Sequence, residues 1–437
     1  MLTIPEIACL DSYSASVRIP PELNVPLTER VRRIIDTKAF RRLASIRQVG
    51  LVSLVYPAAR HTRFEHSLGV FRLALLFLKR LAAVPRFAET VSKHNAEVFI
   101  VTALLHDIGH WAFCHPLEDI RIEELPHHEE QAAVFLNEPE LANVLRNGWN
   151  IEPEEIVQLL NHEGQIPPAN TLLHSILSGP IDIDKMDYLE RDSLHCGVPY
   201  GRNFDPQRLI GSLCLNEVGD GLAITEKGKT AAELMIFARY VMFSEVYWHH
   251  TVRAATSMLQ RLVWELHQAG KIDFERLLHC TEDEAIRCFR QAAKNEPCEV
   301  LAEGLFGERR VLYKQVAQFS ILDQNEIYRK LAGKPYRQLC GLAAELARLC
   351  GINSAANTIL IDAPPVEKEV EIKIDVYEPK THRYRKLEDI SPVVRAMAKE
   401  QFDDYVKRVR VFAHPAVAAC ANQSLTTYIH ELETPAH

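Results

Sequence analysis

Apolar positions along most of the chain recur at helical spacing. Val31, Ile34, Ile35, Phe40, Leu43 and Ile46 form one stripe between Leu27 and Val49, as on an amphipathic helix. Thr28 suits its N-cap and Gly50 the residue that closes it. A loop from Tyr56 runs into an apolar helix that continues to about Leu81, and Glu97 to Leu105 reads as a buried helix. Residues 151–178 carry a further stripe through Ile156, Leu159, Leu160, Leu172, Leu173, Ile176 and Leu177, with His162-Glu163 as filler. From Thr225 to about Gly351 the pattern stays mostly helical, punctuated by Gly270, Gly304, Gly307 and Gly333. The period then changes. Thr358 to Asp362 and Val370 to Val376 alternate with β-branched residues and predict strands, and Val393 to Val411 predicts a helix again. Near the start, Val17-Arg18-Ile19 suits a strand. The predicted fold is mainly α, a helical body with a small α/β appendage at the C-terminal end.

Composition narrows the class without naming it. The 437 residues are 47% hydrophobic and 25% charged, ordinary for a globular protein. No apolar run approaches the roughly 20 residues of a membrane span, and the first residues lack a basic stretch followed by an apolar core. Ten cysteines lie scattered without CxxC spacing, which favours reduced thiols and a cytoplasmic setting. A net charge of −8 gives no global pull toward nucleic acid. Any pocket for a polyanion has to be built locally. The basic face of the 27–49 stretch, with Arg30, Arg32, Arg33, Lys38, Arg41, Arg42 and Arg47, reads by default as solvated.

The candidate chemistry gathers behind the buried helix, where Leu104-Leu105 is followed by His106-Asp107-Ile108-Gly109-His110. A buried ionisable group must be paired or bind a metal. His106 and Asp107 offer a mixed N/O pair that suits a divalent cation, while His110 lies one turn on and faces the same place. A lone His-Asp pair is more often a hydrogen-bonded helix end, but this one is not alone. His66 stands one helix upstream, as a core histidine or a further ligand, with small Gly69 after it allowing close approach of another backbone. His115, Glu118, His127, His128 and Glu129 follow shortly after. Further on, Asp184, Tyr188 and Asp192 recur every turn with Lys185 beside them, a poor core stripe and a good site wall. Arg239, Phe243 and Tyr247 share one helix face, either an aromatic core stripe with a snorkelling arginine or part of the same wall.

Taken in order, His66, His106-Asp107 and Asp184 resemble the H…HD…D signature of the HD-domain metal-dependent phosphohydrolases. More narrowly, the chain looks like their deoxynucleoside triphosphate triphosphohydrolase branch, dGTPase-like and SAMHD-like. Arg63-Phe64-Glu65-His66-Ser67-Leu68-Gly69, His106 to His110, His128-Glu129, Asp184 to Tyr188, and Arg239 with Tyr247 carry the likeness over about residues 10–260. Where the branch often has Gly-Pro-Phe-Ser-His, this chain has Trp111-Ala112-Phe113-Cys114-His115. The resemblance divides the chain into residues 1–50, a strand and helix segment of the catalytic body; 51–225, the HD core; 226–352, a helical extension completing the pocket; and 353–437, the α/β part.

It further implies a divalent metal ion (Mn, Mg, Fe, Ni or Zn) held by His66, His106, Asp107 and Asp184. His110, Glu118 and His128 would assist attack at the α-phosphorus of a deoxynucleoside triphosphate, with His115 near the leaving 5′ oxygen. Arg63, Lys185 and Arg239 would meet the triphosphate; Tyr188 and Asp192 the sugar 3′-hydroxyl; Gln48 and Val49 the sugar edge; and Tyr247 the place of a ribose 2′-hydroxyl. The expected products are a deoxynucleoside and inorganic triphosphate. The rival expectations are another HD reaction, by a nucleotidase or cyclic-nucleotide phosphodiesterase, and a catalytically silent nucleotide sensor. A homo-oligomer and a nucleotide effector are implied as partners, a membrane and nucleic acid are not.

Overall fold

A computed structural model describes residues 4–11, 15–161, 166–352, 357–363, 373–397, 406–419 and 421. His162-Glu163, Val370 to Ile372 and residues 398–405 of the expected elements lie outside them. The chain opens with a hairpin of β1 (Ser16–Ile19) and β2 (Leu23–Pro26), which takes in the strand expected at 17–19. The single helix expected over 27–49 is instead α1 (Glu29–Ile35) and α2 (Lys38–Arg42), followed by a turn of 3-10 helix. Thr37 breaks it: its hydroxyl donates to the Ile34 carbonyl and accepts from Phe40 N–H, so a new N-cap interrupts the old helix. Thr28 does cap α1, accepting from Val31 N–H. Gly50 adopts a left-handed φ of 47°, but at the start of a later 3-10 turn, Gly50–Leu54.

The break has a consequence for the site. Beyond α2 the backbone of 46–48 runs antiparallel beside 61–63, with Gln48 N–H on the His61 carbonyl and Arg63 N–H on that of Ile46, each at 3.0 Å. The basic face is not simply solvated either. Arg30 pairs with Glu6 and Glu97. Arg42 donates to the carbonyls of His110 and Ile108 at 2.8 and 2.7 Å, which fastens α2 to the His106–His110 turn.

The helical body is built on α3 (Arg63–Leu81) packed against α4 (Lys93–Leu105) and, later in the chain, the helix Ile183–Cys196. Ser92 and Asn95 form a capping box that starts α4, and its residues from Val98 to Leu105 are all buried. Short α5 (Cys114–Glu118) and α6 (His128–Leu136) follow, then α7 (Pro153–Asn161), α8 (Pro168–Leu177) and α9 (Ile183–Cys196). Asp182 caps α9 by accepting from Lys185 N–H at 2.7 Å. Next, α10 (Lys229–Met242) passes through a π-turn, Phe243–Tyr247, into α11 (His250–Gln268).

The fold is mainly α, with strands concentrated late in the chain. β3 (Leu213–Leu215), β4 (Leu222–Thr225), β7 (Asp375–Glu378) and β8 (Arg383–Lys386) form one sheet in that spatial order, β4 parallel to β7. The second sheet has the order β5 (Lys314–Phe319), β9 (Val409–Ala413), β6 (Ile359–Asp362), all antiparallel. β9 corrects the helix expected to run to Val411; among the described residues, that stretch opens with a helix over Pro392–Ala396. All five residues of β9 are buried, as a central strand covered on both faces requires. Its run of Val409, Val411 and Phe412 is a strand signal that the helical reading overrode. No helix among the described residues is long and apolar enough to cross a membrane.

Candidate metal centre and its surroundings

Two glycines let the helices approach closely enough to make a site. A Cβ on Gly69 of α3 would lie 1.8 Å from Asp187 Oδ1 and 2.4 Å from Arg191 Nη2, so what approaches is a side-chain ion pair on α9, not a backbone. A Cβ on Gly109 would lie 2.0 Å from the His128 carbonyl oxygen, and so Gly109 seats the start of α6 on the His106–His110 turn.

His66, His106 and Asp184 present ligand atoms that all lie within 4.8 Å of one another. His66 Nε2 is 3.0 Å from Asp184 Oδ1 and 3.2 Å from His106 Nε2. The far side of each ring is already engaged: His66 Nδ1 faces Asp187 at 2.8 Å, and His106 Nδ1 faces the Ala103 carbonyl at 3.0 Å. With Nδ1 as donor, both Nε2 atoms are bare acceptors pointing at each other beside a carboxylate. A cation at that point, a proton or a metal ion, relieves the repulsion. Two nitrogens each about 2.1 Å from one ion sit roughly 3.0–3.4 Å apart, so the observed separation fits a divalent metal. Burial pulls the His66 pKa down, but hydrogen bonds to Asp184 and Asp187 and the charge of Asp107 outweigh it and hold the ring at about 10. A proton fills the role that a metal would take.

Asp107 borders this cluster, with Oδ1 3.5 Å from His106 Nε2 and Oδ2 3.9 Å from His66 Nε2. Its Oδ2 also accepts from Arg63 Nη1 at 2.8 Å, both side chains being buried. Arg63, expected at the triphosphate, thus holds a carboxylate at the metal centre. Lys185, expected there too, donates to Asp182 and to the Gly179 carbonyl. Arg239 is half-buried, its guanidinium 5.4 Å from the Phe243 ring centroid.

A second group lies on the other side of Asp107. His110 Nδ1 is 3.0 Å from Asp107 Oδ1, outside hydrogen-bond geometry, and its Nε2 is 3.4 Å from His115 Nε2. Glu118 accepts from the His128 backbone N–H at 2.7 Å and from its Nδ1 at 2.9 Å. Burial, with the charges of Arg63 and His128, pushes the His110 pKa well below the ordinary value, so the ring is neutral near pH 7. Glu118 is partly buried, yet hydrogen bonds to His115 and His128 keep its carboxyl well below the usual range.

A third group closes the far end of α9. Asp192 is buried; its Oδ1 contacts His61 Nε2 at 2.7 Å, and its Oδ2 accepts from the Tyr247 hydroxyl at 2.5 Å. Tyr188 and Tyr247 meet edge to face, ring centroids 6.4 Å apart. Gln48 brings a buried side-chain oxygen that has no hydrogen-bond partner among the described residues, and Val49 beside it packs on the main core. Tyr247 is not on one continuous α-helix with Arg239, because the π-turn intervenes. Sequence reading gave no role to Arg42, His61, Asp187 or Arg191. For Asp187 and Arg191 a signal existed: they are an i,i+4 acid–base pair on the helix that carries Asp184.

These features define a metal-dependent hydrolase of the HD type. The HD domain profile matches residues 63–192, and that of the HD associated region matches residues 204–434. An uncharacterized protein of Methanocaldococcus jannaschii is 32% identical over 377 residues, 86% of this chain and 74% of that one. Mouse deoxynucleoside triphosphate triphosphohydrolase SAMHD1 is 33% identical over 239 residues, 47% of this chain but only 36% of its own length. A hypothetical protein of Aquifex aeolicus superposes with a TM-score of 0.71 at 25% identity, covering 94% of this chain and 99% of that one. The chain belongs to the HD-domain phosphohydrolase superfamily, in its SAMHD-like branch.

Proposed function

We propose that the chain hydrolyses deoxynucleoside triphosphates at the α-phosphorus, releasing a deoxynucleoside and inorganic triphosphate. The observation that carries this reading is the row along α9. Asp184 faces the two imidazoles, Tyr188 follows one turn later, and Asp192 one turn beyond that, its carboxylate engaged by Tyr247. Eight residues of α-helix span about 12 Å, room for a phosphate at one end and a sugar at the other. The name of the mouse relative, which states that activity, supports the same substrate class.

The residues divide the work by environment. His66, His106, Asp107 and Asp184 would hold the divalent ion, which when bound polarises a phosphoryl oxygen and lowers the pKa of coordinated water. His110, buried and neutral, would serve as the proton acceptor beside the attacked phosphorus. Glu118 fixes His128 through Nδ1, with the His128 ring 4.0 Å from that of His110, centroid to centroid. His115 is the solvent-exposed member of this set, placed to return a proton to a leaving oxygen. Arg239 would meet phosphate, while Asp192, Tyr188 and Gln48 receive the sugar and Tyr247 crowds its C2′ edge. In this reading Arg63 and Lys185 act through Asp107 and Asp182 rather than by binding phosphate directly.

That last point favours one rival. With two of three expected phosphate cations tied to carboxylates, a nucleoside monophosphate would fit the remaining charge. Product identification on a panel of dNTPs, NTPs and dNMPs with Mn²⁺ or Mg²⁺ decides between them. Release of triphosphate supports the proposal, whereas orthophosphate from dNMPs alone replaces it with a nucleotidase. The reading extends to a nucleotide effector and a homo-oligomer, which the same panel with size-exclusion light scattering would test.

A further inference from the structure

We propose that His110, Cys114, His115 and His128 form a second metal site, of a kind that takes zinc, beside the His66/His106 centre. Ligand atoms of these four residues all lie within 4.8 Å of one another. Their arrangement is that of a built site. His110 Nε2 and His115 Nε2 are 3.4 Å apart, the separation of two nitrogens each about 2.05 Å from a tetrahedral ion. The His128 ring lies 4.0 Å from that of His110 and 5.2 Å from that of His115, centroid to centroid.

Asp107 Oδ1 lies 3.0 Å from His110 Nδ1 without hydrogen-bond geometry, and Glu118 backs the other two imidazoles at Nδ1, His115 at 3.5 Å and His128 by a hydrogen bond at 2.9 Å. Metal-bound histidines characteristically have such a partner behind the second ring nitrogen. Cys114 supplies the fourth corner from the first turn of α5, and the residue before it, Phe113, is held at a left-handed φ of 60°. A bulky residue rarely adopts that conformation unless the surroundings impose it. Here it starts α5, whose Cys114 and His115 each bring a ligand atom within 4.8 Å of one of His110.

The donor set separates the two sites chemically. One thiolate with three imidazoles suits zinc, whereas the nitrogen and oxygen donors around Asp184 also serve manganese, iron or magnesium. On binding, the Cys114 thiol releases its proton to solvent and the sulfur lone pair forms the new bond. His115 is exposed, so the ion can enter from solvent. Zinc there would occupy the nitrogens that move protons in the reading above, on which this consequence rests, and would therefore inhibit turnover.

The test uses the full chain equilibrated with excess zinc and desalted, without nucleotide, and counts zinc per chain by mass spectrometry. Wild type is expected to hold two ions, and Cys114→Ser and Asp107→Ala one each. Cobalt(II) in place of zinc should give wild type and Asp107→Ala a thiolate-to-metal absorption band that Cys114→Ser lacks, a readout independent of turnover. With manganese at the first centre, inhibition by zinc should need on the order of a hundredfold more zinc in Cys114→Ser, since even an outer-shell partner is worth 10–100-fold. Wild type that stops at one ion, with none in Asp107→Ala, overturns the second site and leaves the first standing. Wild type with no ion overturns both, and a Cys114→Ser protein with two ions and the cobalt band overturns the assignment.

Discussion

The Tyr247 hydroxyl donates to Asp192 Oδ2 at 2.5 Å while His61 Nε2 holds the other oxygen of the same carboxylate at 2.7 Å. Asp192 is therefore fixed from two sides and buried at the end of α9 away from the metal centre. Burial and the neighbouring Asp192 charge push the Tyr247 pKa well above the ordinary value, so the phenol stays protonated and keeps donating.

Sugar selection should depend on that ring. With the sugar placed as proposed, Tyr247→Ala would open space at C2′ and remove the clash with a ribose hydroxyl, a discrimination worth about 1–3 kcal/mol. The expected outcome is a smaller ratio of kcat/KM for dGTP over GTP, together with slower dGTP turnover because Asp192 loses a partner. Tyr247→Phe should keep most of the discrimination, since the ring remains. An unchanged ratio in the alanine variant would assign Tyr247 to the core instead.

Metal binding should depend on Asp107 in two ways. Asp107→Ala removes a proposed ligand at the first centre and leaves Arg63 buried without its Asp107 partner. Loss of manganese from a protein that keeps its helical circular dichroism is the expected result. Arg63→Ala should retain the ion but weaken it, because the carboxylate then lacks the guanidinium that orients it. Isothermal titration with Mn²⁺ separates the two, and equal, full occupancy in both variants would sink the four-ligand assignment.

The His66, His106 and Asp184 cluster was legible because these residues fall in motifs whose spacing carries chemistry, and the helical body because its apolar stripes are long. Local competition was harder to read. Thr37 restarts a helix that the apolar stripe alone would continue, and the strand preference of Val409 and Val411 is realised through pairing with β5 and β6, contacts made far away in sequence. The same holds for charge. Arg42 looked like any residue of a basic face, yet it donates to two carbonyls of the His106–His110 turn. Burial pulls its pKa down to about 10. No periodicity announces that kind of long-range contact.

Proton transfer should be separable from metal binding at the first centre. His110→Ala and His128→Ala are each expected to bind added manganese at the His66, His106 and Asp184 cluster as wild type does, while losing about 10²–10⁴ in kcat, the usual range for a general acid or base. Glu118→Gln should mimic a milder His128 defect, because an amide orients the ring without the full charge. Metal analysis beside single-turnover rates checks this. Loss of the manganese with either histidine would make that residue a ligand of the first centre.

Asp187 links the metal centre to stability. It accepts from His66 Nδ1 at 2.8 Å and pairs with Arg191, which Glu65 holds from the other side at 2.6 Å. Burial raises the Asp187 pKa, but the charge and hydrogen bonds of Arg191 outweigh it and leave the carboxyl below its ordinary value. Glu65 is shifted the same way, against burial, by its hydrogen bond to His195 and the Arg191 charge. A carboxylate depressed in the folded state adds stability that is fully present above its unfolded pKa, about 4 for these groups. That stability is lost as pH falls through the folded value. Asp187→Asn should therefore lower Tm near neutral pH, by the equivalent of about 3–5 kcal/mol for a broken buried pair, and flatten the decline of Tm between about pH 5 and pH 3. The variant should also weaken manganese binding by roughly 10–100-fold, since His66 loses the group that sets its tautomer. Parallel Tm–pH curves for wild type and variant, or unaltered manganese affinity, would show that Asp187 does not couple the two.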